Sequence, residues 1–342
     1  MTNVATPPTA EAPKPPVVSA SPQRRLHFPG STVGPPVALL VLFAAFSIFA
    51  DGFLSTGNIQ TLLDQAAIPL IVAMGLTLVI LTGSIDLSVE GVMAACCLTF
   101  TLLGMNNANG LDLGYAAIPI ALVVGAAFGM FAGWVHTRFK LPSFMVTLGT
   151  WSIGLGVATI LYGSSTPKMM DEDLLSLTAG NVLGVPKSVI VAAVVVALGW
   201  AICRYTRLGR YAYSIGGDEA VTRLSGINVS RYKIGIFAFA GTCFGLAGIL
   251  GAIRLGVGDV GVGEGSLFLG ISAVVLGGTL LSGGRGGMLQ SMVGVAILVV
   301  LGNGLILIGA SVYWQQGIQA AVIIIAVTLT GWSSRERLRV IK

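Results

Sequence analysis

Two carboxylates, Asp86 and Glu90, stand four residues apart in VILTGSIDLSVEGVMA (79–94), a stretch whose flanks are almost purely apolar. A lone carboxylate at the middle of a bilayer costs about 2.5–3.5 kcal/mol on insertion scales, so each needs a partner, a proton or nearby water. Gly83 and Gly91, with Ser84 and Ser88, open the backbone and supply local hydrogen bonds at a helix break. Asp86, followed by Leu87-Ser88, has the form of an N-cap for the next helix. Asp86 or Glu90 also has the chemistry of a group lining a pathway or a gate, and a cap on a broken helix beside a cavity does both.

The second informative stretch is YTRLGRYAYSIGGDEAVTRLSGINVSRY (205–232). After a turn at Gly216-Gly217, a short helix is predicted to start at Asp218-Glu219, run through Arg223 and end near Gly226. Acid at the front, a base later and a glycine stop suit the helix dipole and its caps. So short a helix does not stand alone in water. Its chemistry is that of a segment docking into a groove of another protein, or of an ordinary loop on the membrane surface.

No catalytic constellation is present: there is no GxxxxGK[ST] phosphate loop, no HExxH, and no Ser/His/Asp set on one side of the membrane. GGRGG (283–287) lacks the Lys-Ser/Thr end of a nucleotide loop, so the chain is not expected to hydrolyse ATP. The four cysteines (96, 97, 203, 243) fall in apolar segments without metal-ligand spacing, and packing explains them.

The elements that hold these residues follow from composition. Of 342 residues, 54% are hydrophobic and 10% charged, against about 25% charged in a soluble domain. This reads as an all-α polytopic membrane protein. Windows of about 20 apolar residues suggest about ten transmembrane helices, near 36–54, 66–82, 88–105, 113–135, 143–162, 187–204, 233–255, 266–282, 288–309 and 313–332, the second and eighth short and Gly-interrupted.

Placing both termini in the cytoplasm (N-in, C-in) puts Lys14, Arg24, Arg25, Arg138, Lys140, Arg204, Arg207, Arg210, Arg223, Arg231, Lys233, Arg285, Arg335, Arg337, Arg339 and Lys342 inside. Only Lys168, Lys187 and Arg254 are left outside, as the positive-inside rule expects. The formal charge of +5 is thereby explained by loops beside anionic lipid, without nucleic acid.

Residues 1–35 hold eight of the 14 prolines and read as a disordered cytoplasmic tail rather than a secretory signal. Residues 36–334 read as one membrane domain with a long outer loop (163–187) and the inner loop (205–232), followed by a basic tail (335–342). Gly125-x3-Gly129-x3-Gly133 and Gly241-x3-Gly245 have the form of close helix-packing faces.

A weak internal repeat relates two Gly-broken segments: shifted by 195 residues, VILTGSIDLSVEGVM lies over VVLGGTLLSGGRGGM (274–288). The shift superposes Gly83 on Gly278, Ser84 on Thr279 and Glu90 on Arg285, and so predicts a Glu90–Arg285 pair near a pseudo-symmetric centre. The pathway or gate candidates are accordingly Asp86, Glu90, Arg285, Gly83, Ser84 and Thr279.

Taken in order, LVILTGSIDLSVEGV, TRLGRYAYSIGGDEAVTRLSGINV and SAVVLGGTLLSGGRG resemble the permease subunits of bacterial ribose-type sugar importers of the ATP-binding-cassette class. NVLGVP (181–186) and 303–327 extend the resemblance over about 36–330. It implies a multi-pass permease of the bacterial inner membrane, working as a homo- or heterodimer. Such a pair takes a monosaccharide from a periplasmic binding protein. A cytoplasmic ATPase, which carries the ATP and Mg, drives it by alternating access.

By the motif match, Glu219, Ala220, Arg223 and Gly226 form the coupling loop to that ATPase. Position 90 is Glu where the family usually has Gly, and position 218 is Asp where Asn is usual. Leu267 and Leu269 stand where acidic residues often precede AVVLGG, with Glu264 slightly upstream. These departures leave the sugar open. Asp171, Glu172 and Asp173 of the outer loop would suit a basic rim on the binding protein. Tyr162, Trp151, Asn303 and Gln319 are candidates to line a sugar path. The competing reading is a self-contained secondary transporter with Asp86 or Glu90 as the ion-coupling carboxylate; it would have no need of the loop at 205–232.

Overall fold

The run from Thr56 to Leu81 carries a single charge, Asp64, and forms the helix around which the others are arranged. The computed structural model describes residues 30–311 apart from 179, together with 314, 317, 318, 320, 321 and 324. The tenth predicted span, Gln319 and the basic C-terminal tail therefore lie largely or wholly outside the described residues, as do residues 1–29. α1 (Gly30–Phe49) begins before the expected end of the Pro-rich tail and includes Pro35 and Pro36.

α2 (Thr56–Leu81) starts at Ser55, whose side chain accepts from Asn58 N, and is 26 residues long rather than short. Every residue from Ile71 to Leu81 is buried, as expected of a helix that is apolar on all sides and packed within a bundle. α3 (Val89–Leu103), α4 (Ala117–Phe139) and α5 (Ser143–Tyr162) follow. After the short α6 (Glu172–Ser176), a two-stranded hairpin pairs β1 (Asn181–Val182) with β2 (Val185–Pro186).

α7 (Lys187–Tyr205), α8 (Arg207–Gly217), α9 (Glu219–Leu224), α10 (Val229–Leu255), α11 (Ser266–Leu276) and α12 (Met288–Leu307) complete the described chain. Among the described residues, six helices are long and apolar enough to cross a membrane: α2, α4 with its leading turn, α5, α7, α10 and α12. The apolar part of α1 (Val33–Phe49), α3 and α11 are shorter. The eighth predicted span shrinks to the 11 residues of α11, because Gly277 and Gly278 end it.

α10 packs against α2, α3 and α4 and shares the bundle's centre with α2. The two small-residue faces meet each other. A Cβ on Gly129 would collide with the Phe237 carbonyl, and one on Gly241 with that of Gly125. Backbones approach this closely only through glycine, and the gain is van der Waals contact over the whole crossing.

The connections sort to two ends. At one, the 163–187 loop is strapped by bridges from Asn106 to Met169 and from Lys168 to Val257. Its α6 is capped by Asp171, whose Oδ1 accepts from Leu174 N at 3.0 Å. At the other end, α8 lies against the C-terminus of α2 and the 277–287 connection.

Candidate functional site: two broken helices and the loop beneath them

α2 ends in a tight reversal. Gly83 adopts φ 72°, Gly83 N donates to Ile80 O at 2.9 Å, and Ser84 N donates to Val79 O at 3.4 Å. The chain then runs without regular structure to Ser88, and backbone donors in such a stretch need partners when water is excluded. α5 supplies them: Ile85 N donates to Ser143 Oγ and Leu87 N to Thr147 Oγ1, both at 2.9 Å. Neither hydroxyl was singled out by the sequence, where they read as ordinary residues of an apolar span.

Asp86 is fully buried. Its Oδ1 accepts from Ser88 N at 2.9 Å and from Ser88 Oγ at 2.6 Å, while Oδ2 has no hydrogen-bond partner among the described residues. The N-cap of α3 is therefore Ser88 and not Asp86. Asp86 instead closes an Asx-type turn one step earlier, because its short side chain reaches the amide two residues on.

α11 ends in the same way as α2. Gly278 has φ 101°, Gly278 N donates to Val275 O at 2.9 Å, and Thr279 N to Val274 O at 3.1 Å. The following connection holds Gly283, Gly284 and Gly286 at positive φ. Thr279 Oγ1 accepts from Gly287 N at 3.3 Å and lies 3.5 Å from Ser291 Oγ, which in turn accepts from Thr77 Oγ1 at 2.7 Å.

The two breaks touch. Gly284 N donates to Leu81 O at 2.9 Å, and a Cβ on Gly283 would lie 2.6 Å from Gly83 N. α8 joins the same knot: a Cβ on Gly216 would collide with Leu81 O, and Tyr213 OH donates to Gly286 O at 2.9 Å.

Above the knot, the helices restart. Gly91 packs on Trp151 and Gly154, halfway along α5, so the N-terminus of α3 lies near mid-span. The 256–265 segment returns from the end that bears the 163–187 loop to this level, where Gly263 lies against the Cα of Glu90. α11 starts there, and Gly265 N donates to Glu90 Oε1 at 3.0 Å. Glu90 thus sits in the first turn of α3 and at the N-terminus of α11, two positive helix ends that favour its charge.

The predicted Glu90–Arg285 pair is not formed. Glu90 is turned to Gly265, while Arg285 is exposed in the connection at the α8 end of the bundle and makes no ion pair among the described residues. The reason is depth: α11 separates the two positions by its full length. On the returning segment the carboxylates of Asp259 and Glu264 lie 3.6 and 4.0 Å from where a Cβ on Gly261 would stand.

Beneath the knot, Asp218 caps α9, its Oδ1 accepting from Val221 N at 3.0 Å, and Gly226 follows at φ 79°. Glu219 accepts from Arg223 at 2.7 Å and from Lys233 of α10 at 2.8 Å. Partial burial pushes the Glu219 carboxyl up, but the hydrogen bond and charge of Lys233, then those of Arg223, outweigh it and hold the group below its ordinary range. Ala220, Val221 and Leu224 are exposed.

Of the outer-loop acids, Glu172 and Asp173 are exposed, whereas Asp171 is occupied in capping α6. Asn303 is buried in a reciprocal amide pair with Asn58, at 2.9 and 3.1 Å, and so joins α12 to α2 instead of facing a path. Tyr162 OH pairs with Thr166 Oγ1 at 2.6 Å, and Trp151 is half-buried against Gly91.

Comparison with known proteins places this geometry. Residues 58–327 match the family model described as branched-chain amino acid transport system / permease component. The ribose import permease protein RbsC of Escherichia coli K12 is 38% identical over 297 residues, covering 85% of this chain and 91% of that protein. The corresponding protein of Bacillus subtilis is 37% identical over 312 residues, covering 90% and 95%. The galactose/methyl galactoside import permease protein MglC of E. coli is 34% identical over 308 residues, covering 86% and 92%. No solved structure matches the chain. A bundle with two broken helices and a capped α9 beneath them, matched along most of its length, belongs to the family of multi-pass permease components of import systems.

Proposed function

We propose that this chain, a permease subunit of an ATP-binding-cassette sugar importer, works as one of a pair in the bacterial inner membrane. It receives a monosaccharide from a periplasmic binding protein and is driven by a cytoplasmic ATPase that carries ATP and Mg. The knot carries this reading: Leu81, Gly283 and Gly284 meet Gly216 of α8, which leads directly into α9, and Gly283 in turn meets Gly83. A displacement of α9 by a partner would therefore bear on both helix breaks at once.

In this reading α9 is the coupling helix, with Glu219, Ala220, Arg223 and Gly226, and its end of the molecule is cytoplasmic, as are both termini. The outer loop meets the binding protein through Glu172 and Asp173. The two helix ends with matching hydrogen bonds, 79–84 and 274–279, support an internal repeat. Glu90, Asp86 and Thr279 lie beside the broken helices through which a sugar would pass. The relatives' names point to ribose first, with galactose as the other class to try.

A self-contained ion-coupled carrier accounts less well for the same groups. Asp86 is enclosed, Glu90 is engaged with Gly265, and such a carrier has no use for an α9 that presents Val221 and Leu224 outward.

The test is ATP turnover in proteoliposomes holding the permease, its ATPase and its binding protein, with ribose and galactose added in turn. Sugar-stimulated turnover that collapses in Glu219→Lys is the expected result. A permease that binds no ATPase and takes up sugar on a proton gradient would overturn it.

A further inference from the structure

Lys233 is nearly fully buried in the first turns of α10, although it carries a charge. A buried ammonium is retained only where acceptors surround it. Two do. Glu219 Oε2 of α9 lies at 2.8 Å, and His136 Nε2 in the last turn of α4 lies at 3.4 Å.

The state of that histidine follows from its other nitrogen. His136 Nδ1 is 2.6 Å from the Leu141 carbonyl, which only accepts, so Nδ1 carries the proton and Nε2 accepts from Lys233. Leu141 lies two residues before Ser143, and Ser143 and Thr147 are the groups that hold Ile85 and Leu87 in the first helix break. Polar contacts thus run from α9 through Lys233 and His136 to Leu141 at the corner between α4 and α5, and two residues further along the chain Ser143 takes up the contacts to the 82–88 break.

We propose that Lys233 and His136 are positioning residues for transport, fixing the coupling helix to that corner so that a movement of α9 is passed to the 82–88 segment. The inference rests on the reading of α9 as the contact to an ATPase. Neither residue meets substrate or nucleotide in this scheme. Each acts through Glu219 or Leu141.

The experiment uses the assembled transporter in proteoliposomes and compares Lys233→Met, Glu219→Lys, Lys233→Glu and the exchanged pair Glu219→Lys/Lys233→Glu. The readouts are sugar-stimulated ATP turnover, sugar moved per ATP, and the amount of ATPase retained. Loss of one partner of a buried pair is expected to lower stimulated turnover about 10-fold or more in each single variant, and the exchanged pair to recover to within about 3-fold of wild type.

Lys233→Met keeps the length of the side chain without a buried like-charge contact, so it reports even where Lys233→Glu fails to insert. Wild-type turnover and coupling ratio in Lys233→Met would overturn the inference, as would an exchanged pair no better than its single variants. A wild-type permease that retains no ATPase would instead refute the underlying functional reading, so the two failures are distinguishable.

Discussion

Glu219 reaches two cations from one carboxylate: Arg223 on its own helix and Lys233 on α10. Its ion pair with Arg223 is exposed and adds little, but the contact with Lys233 fastens α9 to a spanning helix. Because its carboxyl is held below the ordinary value of 4.5, the stabilisation is fully present above that value and is lost as pH falls through the lower folded one. The protection factors of amides 218–225, taken relative to their intrinsic exchange rates, should therefore be flat from neutral pH down to the ordinary carboxylate range and fall only below it. In Glu219→Gln the same segment should be less protected at neutral pH, with no acid step of its own.

Asp86 makes a second prediction at this scale. Asp86→Ala leaves Ser88 N without its acceptor in a closed site and should lower stability by about 1–3 kcal/mol, read from thermal denaturation in detergent. Asp86→Asn keeps one oxygen for Ser88 and should cost less. Equal losses in the two variants would show that the charge, rather than the acceptor, holds the turn.

At the scale of elements, the breaks in the helices are positioned by their neighbours. α2 and α11 each end where a glycine takes positive φ, and its own amide and the next fold back on the last turn. What keeps these ends together is the absence of side chains where Leu81, Gly216 and the 283–284 backbone meet. Gly216→Val should force α8 off the α2 terminus. Overpacking of this kind typically costs about 1–3 kcal/mol, and coupling should fall further than stability does. Gly129→Leu, in the α4–α10 crossing, should instead destabilise the whole bundle and lower the yield of folded protein by size-exclusion chromatography. A Gly216→Val protein that couples normally would show that α8 does not transmit through this contact.

For the molecule as a whole, two ends with different chemistry are separated by the buried core of α2 and α10. One bears the 163–187 loop with Glu172 and Asp173, the other α8 and α9 with their basic residues. On the proposed orientation, a cysteine placed at Glu172 should react with a membrane-impermeant maleimide added to intact cells, and one at Ala220 only after permeabilisation. Background should be low, because Cys96, Cys97 and Cys243 are buried and Cys203 is partly so. The reverse pattern would invert the topology and remove the argument for a cytoplasmic α9.

What the residues alone determined was local. Apolar runs marked where the spans lie, since hydrocarbon accepts only sequences whose backbone bonds are met internally. Gly83 marked the end of α2, and Asp218, Glu219 and Gly226 marked α9, because caps and stops act within a turn of the chain, whereas the apolar run past Gly278 hid the end of α11. Family membership was readable in the same motifs.

Everything that depends on depth or on distant partners was decided only by the tertiary structure. An alignment placed Glu90 opposite Arg285, but a helix of 11 residues keeps them apart and gives Glu90 the amide of Gly265. Asp86 proved two residues removed from the cap, and Asn303 found Asn58 from 245 positions away. Ser143, Thr147, His136 and Lys233 gained their roles from groups that no local pattern names. Periodicity and propensity report on neighbours along the chain, whereas a buried polar group is defined by whichever donor or acceptor the packing brings to it.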